Sequence, residues 1–167
     1  MTVQADPDTH EQTACVAQGI AAAESYCLDH KLQFTAVRRR VLEHLLVEHR
    51  ALGAYEILDR LREEGLGKQP PIAYRALDFL VEHGFAHRIE RLNAFVACGS
   101  PGRSHSPVFL ICRKCKRVVE TTAAVVADKV LGEAAKSNGF AIHNAVVEAE
   151  GTCTTCVSDT DLPEKAT

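Results

Sequence analysis

Four of the seven cysteines in this 167-residue chain fall into two Cys-x-x-Cys pairs, Cys112/Cys115 and Cys153/Cys156, with 37 residues between them. Each pair can present two thiolates to one ion, and two pairs complete a tetrahedral Zn²⁺ shell with Zn–S of about 2.3 Å. A redox dithiol instead wants a single Cys-x-x-Cys opening a helix after a strand. Here the spacers are polar connectors, Arg113-Lys114 and Thr154-Thr155. The spacing points to a structural four-cysteine zinc site, with a redox-releasable version of the same site as the alternative. Such a site ties the strand-like Val108-Phe109-Leu110-Ile111 to the C-terminal tail. Structural zinc contributes on the order of 10 kcal/mol to folding of small domains, which suits a C-terminal module with few apolar residues.

Chain length accommodates one compact domain or two small ones. Hydrophobic residues make up 46% and charged residues 25%, a globular balance, while aromatics at 5% argue against stacking platforms for single-stranded nucleic acid. No run of about 18 apolar residues is present, so no membrane span is expected. Asp6, Asp8 and Glu11 stand where a signal peptide carries Lys or Arg, so the chain reads as soluble and cytoplasmic. The formal net charge is −3. Residues 1–95 hold 11 Lys+Arg against 14 Asp+Glu and the remainder 8 against 8, so a nucleic-acid partner has to be argued from local placement.

Apolar periodicity organises the first hundred residues. Val16, Ile20, Ala23 and Cys27 mark a helix over about 11–30. Thr35 is placed to N-cap a second helix with Val37, Val41, Leu42, Leu45 and Leu46 inward and Arg38, Arg39 and Arg40 mostly outside. Ile57, Leu58 and Leu61 face inward on a third helix ending near Gly65. Pro70-Pro71 opens a fourth, roughly 71–83, with Ala73, Ala76, Leu77 and Leu80 on one face. Two β-leaning runs, 85–89 and 94–98, flank a turn at 90–93.

Helices followed by a hairpin give the order of a winged helix-turn-helix. Tyr74 and Arg75 near the start of the fourth helix then stand where recognition helices meet base edges; the plainer reading is an amphipathic helix with a solvated Arg. After Gly99-Ser100-Pro101-Gly102 the composition changes. Strands are expected at 108–112 and 117–121, a helix at 123–137 and a strand at 142–148. The fold class is α+β: residues 1–10 flexible, an α-rich domain with winged-helix order over 11–98, a hinge loop at 99–106, a small α/β domain with the four-cysteine zinc site over 107–157, and a flexible tail at 158–167.

His87, Cys98, His105 and Glu120 form a second constellation around that hinge. Singly each has a plain explanation: an exposed wing His, a buried thiol, a loop His, a solvated Glu. Together, two imidazoles, a thiolate and a carboxylate suit Zn²⁺ and disfavour harder ions such as Mn²⁺. Four protein ligands leave no open position for substrate, which argues for sensing and against catalysis.

The stretch Pro70-Pro71-Ile72-Ala73-Tyr74-Arg75-Ala76-Leu77-Asp78-Phe79-Leu80 resembles the recognition helix of the ferric uptake regulator superfamily. Gly84-Phe85-Ala86-His87-Arg88 is similar to the start of that family's wing. The two cysteine pairs and Glu148-x-x-Gly151-x-Cys153 complete a likeness covering residues 11–157. Iron and peroxide sensors of the superfamily usually carry a His-rich run before the first cysteine pair. Here it is reduced to Ser104-His105-Ser106, and Cys98 supplies a thiolate, as in the zinc uptake regulator subfamily.

That resemblance implies two zinc ions per chain. A regulatory one would be held by His87, Cys98, His105 and Glu120, and a structural one by Cys112, Cys115, Cys153 and Cys156. It also implies a homodimer formed by the C-terminal domains, a double-stranded AT-rich palindromic operator, and repression of zinc-uptake genes, without a membrane or small organic substrate. Pairs of dimers joined on DNA through residues such as Asp59 and Arg62 are a further implication; by spacing alone these two form an intrahelical pair. The second helix departs from the family in opening with Thr35-Ala36-Val37-Arg38 instead of Thr-Pro-Gln-Arg, though Arg38–Arg40 remain available to phosphates. His143 reads as a surface residue, with a peripheral metal site near the second cysteine pair as the alternative, and Cys15 and Cys27 read as packing thiols. The alternatives are a sibling sensor of iron, manganese or peroxide and a zinc-dependent redox switch or holdase. A zinc hydrolase would need an open ligand position and a general base, and the constellation offers neither.

Overall fold

The computed structural model describes residues 8–48, 50–99, 101, 107–121, 124–143 and 145–157. Of the segments expected to be loose, residues 1–7 and 158–167 lie outside this description, as do residues 100 and 102–106 of the expected hinge. The chain divides into two compact units, one up to Arg103 and one from Ser104. Among the described residues no helix is long and apolar enough to cross a membrane.

The first unit is a winged helix. Helix α1 spans Asp8–Asp29, α2 Ala36–Val47, α3 Ala54–Glu63 and α4 Pro70–Glu82. A short strand β1 (Leu52–Gly53) and the wing strands β2 (Ala86–Ile89) and β3 (Ala94–Ala97) make an antiparallel sheet in the order β1-β3-β2. One core unites all four helices with the sheet. It is built on Ile20, Val41, Leu42, Leu45, Leu52, Ile57, Leu58, Leu61, Leu77, Leu80 and Phe95. At the α1–α2 crossing, a Cβ on Gly19 would sit 2.7 Å from Leu46 Cδ1, so glycine there permits close approach.

Local chemistry sets the helix ends as the sequence suggests. The Thr35 side chain accepts from the Arg38 N–H at the start of α2. Pro70 and Pro71 occupy the first two positions of α4, where their missing N–H groups lose no helical bond. Gly84 ends α4 at φ +72°, and the Phe85 N–H closes on the Leu80 carbonyl at 2.8 Å. That closure buries Phe85 and aims the chain into β2. At the wing tip, a single 3₁₀ turn (Glu90–Leu92) and left-handed Asn93 reverse the chain.

The second unit holds β4 (Val108–Cys112), β5 (Val118–Thr121), α5 (Ala124–Ser137) and β6 (Val147–Gly151) in a mixed sheet ordered β5-β4-β6. Strand β4 pairs antiparallel with β5 and parallel with β6. The parallel register pairs Cys112 with Gly151, which sets the second cysteine pair beside the first.

Several expectations are corrected. The last strand is Val147–Gly151, not 142–148; Ile142 and Val146 lie outside any strand and are exposed. The apolar run that suggested a strand there is surface. Cys15 is exposed, so of the two α1 thiols only Cys27 is a packing residue. Arg38, Arg39 and Arg40 are half-buried and engaged by their neighbours, not simply outside. Strand β1 was not anticipated, because two residues carry no periodicity.

Candidate metal centres and nucleic-acid interface

The four cysteines of the two pairs converge. Cys112 ends β4 and is buried; Cys115 follows in the turn toward β5; Cys153 and Cys156 occupy the turn after β6. Their sulfur atoms all lie within 4.8 Å of one another, with Cys115 Sγ and Cys153 Sγ 3.7 Å apart. A tetrahedron with Zn–S of about 2.3 Å has sulfur–sulfur edges of about 3.8 Å, so the set fits one zinc ion. The backbone supports it: the Cys153 N–H reaches Cys112 Sγ at 3.4 Å, and Lys114 Nζ donates to the Cys156 carbonyl at 3.0 Å.

The sulfurs also titrate against one another. Backbone N–H groups of Cys115 and Cys153 bring the Cys112 thiol down to about 6. Contact with the sulfurs of Cys115 and Cys153 pushes Cys156 up to about 12. Four thiolates this close repel, and a divalent cation is what lets them ionise together.

The residues of the second constellation lie on separate pieces of chain. In the first unit, His87 lies on β2 and Cys98 directly follows β3. The Cys98 N–H donates to the Phe85 carbonyl at 3.0 Å, which fixes the thiol beside the wing. Cys98 is buried, His87 is half-buried, and their donor atoms lie within 4.8 Å of each other. Glu120 sits on β5 of the second unit, paired with Phe109 of β4. His105 lies outside the described residues. His143 is exposed.

The outer side of α4 carries Tyr74 and Arg75, both exposed, opposite the buried Ala73, Ala76, Leu77 and Leu80. Beside them stands Tyr55 at the start of α3, 64% exposed, with its ring edge-on to Tyr74 at 6.4 Å. Sequence reasoning missed Tyr55, because its neighbourhood with Tyr74 exists only once α3 and α4 cross.

The three arginines of α2 are tethered. The Arg38 guanidinium lies 3.6 Å above the Phe79 ring of α4 and donates to the Gln33 carbonyl. Arg39 pairs with Glu24 of α1. Arg40 clasps both oxygens of Glu64 at 2.7 Å and reaches Glu43 at 2.8 Å. Asp59 and Arg62 pair at 2.8 Å along α3, as their spacing suggests.

No protein-family model matches the chain. The zinc uptake regulation protein of Escherichia coli (strain K12) is 40% identical to it over 139 residues, 83% of this chain and 81% of that protein. Among solved structures, a zinc uptake regulator complexed with zinc and DNA is similar at 37% identity and a TM-score of 0.79, covering 84% of this chain and 94% of the other. The crystal structure of holo XcZur is similar at 39% identity and a TM-score of 0.73, covering 82% and 95%.

Proposed function

Because the chain belongs to the zinc uptake regulator family, we propose that it is a zinc-responsive transcriptional repressor that, as a zinc-loaded homodimer, binds palindromic AT-rich operators of zinc-uptake genes. The observation that carries this reading is the likeness, over more than four-fifths of the chain, to a regulator complexed with both zinc and DNA. The residues agree with it. A winged helix offers α4 to a major groove, and a four-sulfur cluster of zinc dimensions stabilises the unit to which dimerisation is assigned.

Two zinc ions per chain are assigned. Cys112, Cys115, Cys153 and Cys156 hold a structural ion that contributes folding free energy and no chemistry. His87, Cys98, His105 and Glu120 hold the sensed ion. The nearness of the His87 and Cys98 donor atoms supports the latter set, and the Cys98 thiolate favours Zn²⁺ over Mn²⁺ or Mg²⁺. Ligands drawn from both units make sensing mechanical, because zinc then favours whichever arrangement of the units completes its shell.

Arg75 reads guanine O6/N7, Tyr74 and Tyr55 contact adjoining base edges, and Arg38, Arg39 and Arg40 face phosphates with the guanidinium surface their partners leave exposed. A protein acting on chromosomal operators works in the cytoplasm, and nothing in this assignment calls for catalysis.

The test is fluorescence anisotropy of a zinc-importer promoter fragment, using protein that retains its tightly held zinc, at buffered free Zn²⁺ and separately with anaerobic Fe²⁺. Binding that appears only as free zinc rises supports the repressor. Equal binding with iron, or binding indifferent to metal, overturns it.

A further inference from the structure

The DNA-facing side of α4 is poor in positive charge for a surface that meets phosphates. Its exposed positions are Pro71, Tyr74, Arg75, Asp78, Val81 and Glu82, one cation against two carboxylates. Asp78 lies one turn beyond Tyr74 and three residues beyond Arg75, on the same stripe. With Tyr55, Tyr74 and Ala54 it lines a cleft of about 230 Å³ between the start of α3, α4 and the wing. Arg88, the cation lining that cleft, is already engaged, donating to Asn93 Oδ1 at 3.0 Å and lying 3.4 Å from Glu90.

A carboxylate carried into a major groove loses water and gains phosphate repulsion, so it disfavours binding unless it meets a donor. The groove offers two, the exocyclic amines of cytosine and adenine. An ionised carboxylate only accepts, and the adenine amine is flanked by the N7 acceptor, which repels it. The cytosine amine is flanked by an apolar C5–H edge, which suits a cleft walled by Tyr74 and Ala54.

We infer that Asp78 is a specificity-determining residue whose carboxylate accepts a hydrogen bond from the N4 amine of a cytosine neighbouring the base pair read by Arg75. The inference rests on the DNA-binding reading above and names a base that reading leaves open. Arg75 supplies attraction and selects guanine. Asp78 supplies little attraction and rejects duplexes that lack the amine at its position.

The experiment is selection from randomised duplex DNA by the full-length, zinc-loaded chain, for wild type, Asp78→Ala, Asp78→Asn and Arg75→Ala, with thermal unfolding as a fold control. Asp78→Ala is expected to keep zinc-dependent binding and lose its preference at one base pair per half-site, by on the order of tenfold, while binding random duplex more tightly. Asp78→Asn, which carries a donor beside its acceptor, should move that position toward adenine. Replacing the selected cytosine by 2-pyrimidinone, which lacks the amine, should weaken wild type and leave Asp78→Ala unchanged. If both Asp78 variants select the wild-type sequence at every position, the inference is overturned while the repressor reading stands. If zinc-loaded wild type selects no sequence at all, the repressor reading falls and the inference with it.

Discussion

Cys112 and Cys98 are both buried thiols, yet on the proposed assignment removing them should have opposite consequences, because one is assigned to a cluster on which its unit folds and the other to a sensing set. Cys112 takes an N–H from Cys153 across the turn and sits among three further sulfurs. Cys112→Ser should therefore unfold the second unit and release its zinc, seen as lost ellipticity and free metal in a chromogenic zinc assay. His87→Ala and Cys98→Ser should keep the unfolding midpoint of the zinc-retaining protein and lose zinc-dependent operator binding. Identical behaviour of the two classes would refute separate roles. Arg75→Ala should cost about 1–3 kcal/mol of discrimination at its guanine, read from affinities for operators altered at that base pair. The cysteine pairs were legible because a ligand spacing of two residues is itself geometry. Tyr55 was not, since it joins Tyr74 only through the crossing of α3 and α4.

At the scale of elements, the start of α2 shows why charge on a helix face does not announce its partner. Three consecutive arginines read as a phosphate-binding edge, but each has a protein partner: Phe79 for Arg38, Glu24 for Arg39, Glu43 and Glu64 for Arg40. Arg39, held by one exposed carboxylate, is the easiest to redirect toward a phosphate. Arg39→Ala should weaken binding evenly across DNA sequences and reduce the salt slope by about one counterion. Arg40→Ala should in addition lower the unfolding midpoint, because Glu64 then faces buried His44 without its main partner. Anisotropy titrations at several salt concentrations, paired with thermal melts, separate the two outcomes. Helices α2 to α4 were legible from period and caps. The bounds of β6 were not, because the apolar residues before it are exposed and mimic a buried strand.

The same α2–α3 junction sets a pH response. Burial lowers His44, the Arg40 hydrogen bond lowers Glu64, and the Arg50 hydrogen bond lowers Glu56. All three of these shifts are downward, so the unfolded chain binds protons first on acidification and stability falls as pH falls. The histidine share is present above its ordinary value of 6.5 and disappears as pH falls through its lower folded value; the glutamate share follows the same course below 4.5. Glu43, Arg40 and Arg60 also face His44, and the two arginines hold its protonation down. Between pH 7.5 and 5.5, wild type should lose more of its unfolding midpoint than His44→Gln. Parallel curves for the two proteins would remove His44 from the account.

At the scale of the whole molecule, the assigned sensing set imposes an equality. His87 and Cys98 belong to one unit and Glu120 to the other, so zinc shifts the molecule toward a DNA-competent form only as far as it binds that form more tightly. Linkage then requires operator DNA to tighten the sensed zinc by the same factor by which that zinc tightens operator binding. Non-specific duplex should tighten zinc less, since phosphate contacts alone constrain the spacing of two recognition helices weakly. The check is a competition titration of the sensed zinc against a chelator of known affinity, without DNA, with operator and with random duplex, set beside operator affinities at zero and saturating sensed zinc. Equal factors for zinc and operator are expected from the full chain. In Glu120→Gln, which removes the second unit's charged ligand and keeps its size, both factors should fall together. A variant that still binds zinc tightly but has lost the DNA response would show that ligation and domain arrangement are separable, and that the joint between the units is not where zinc does its work.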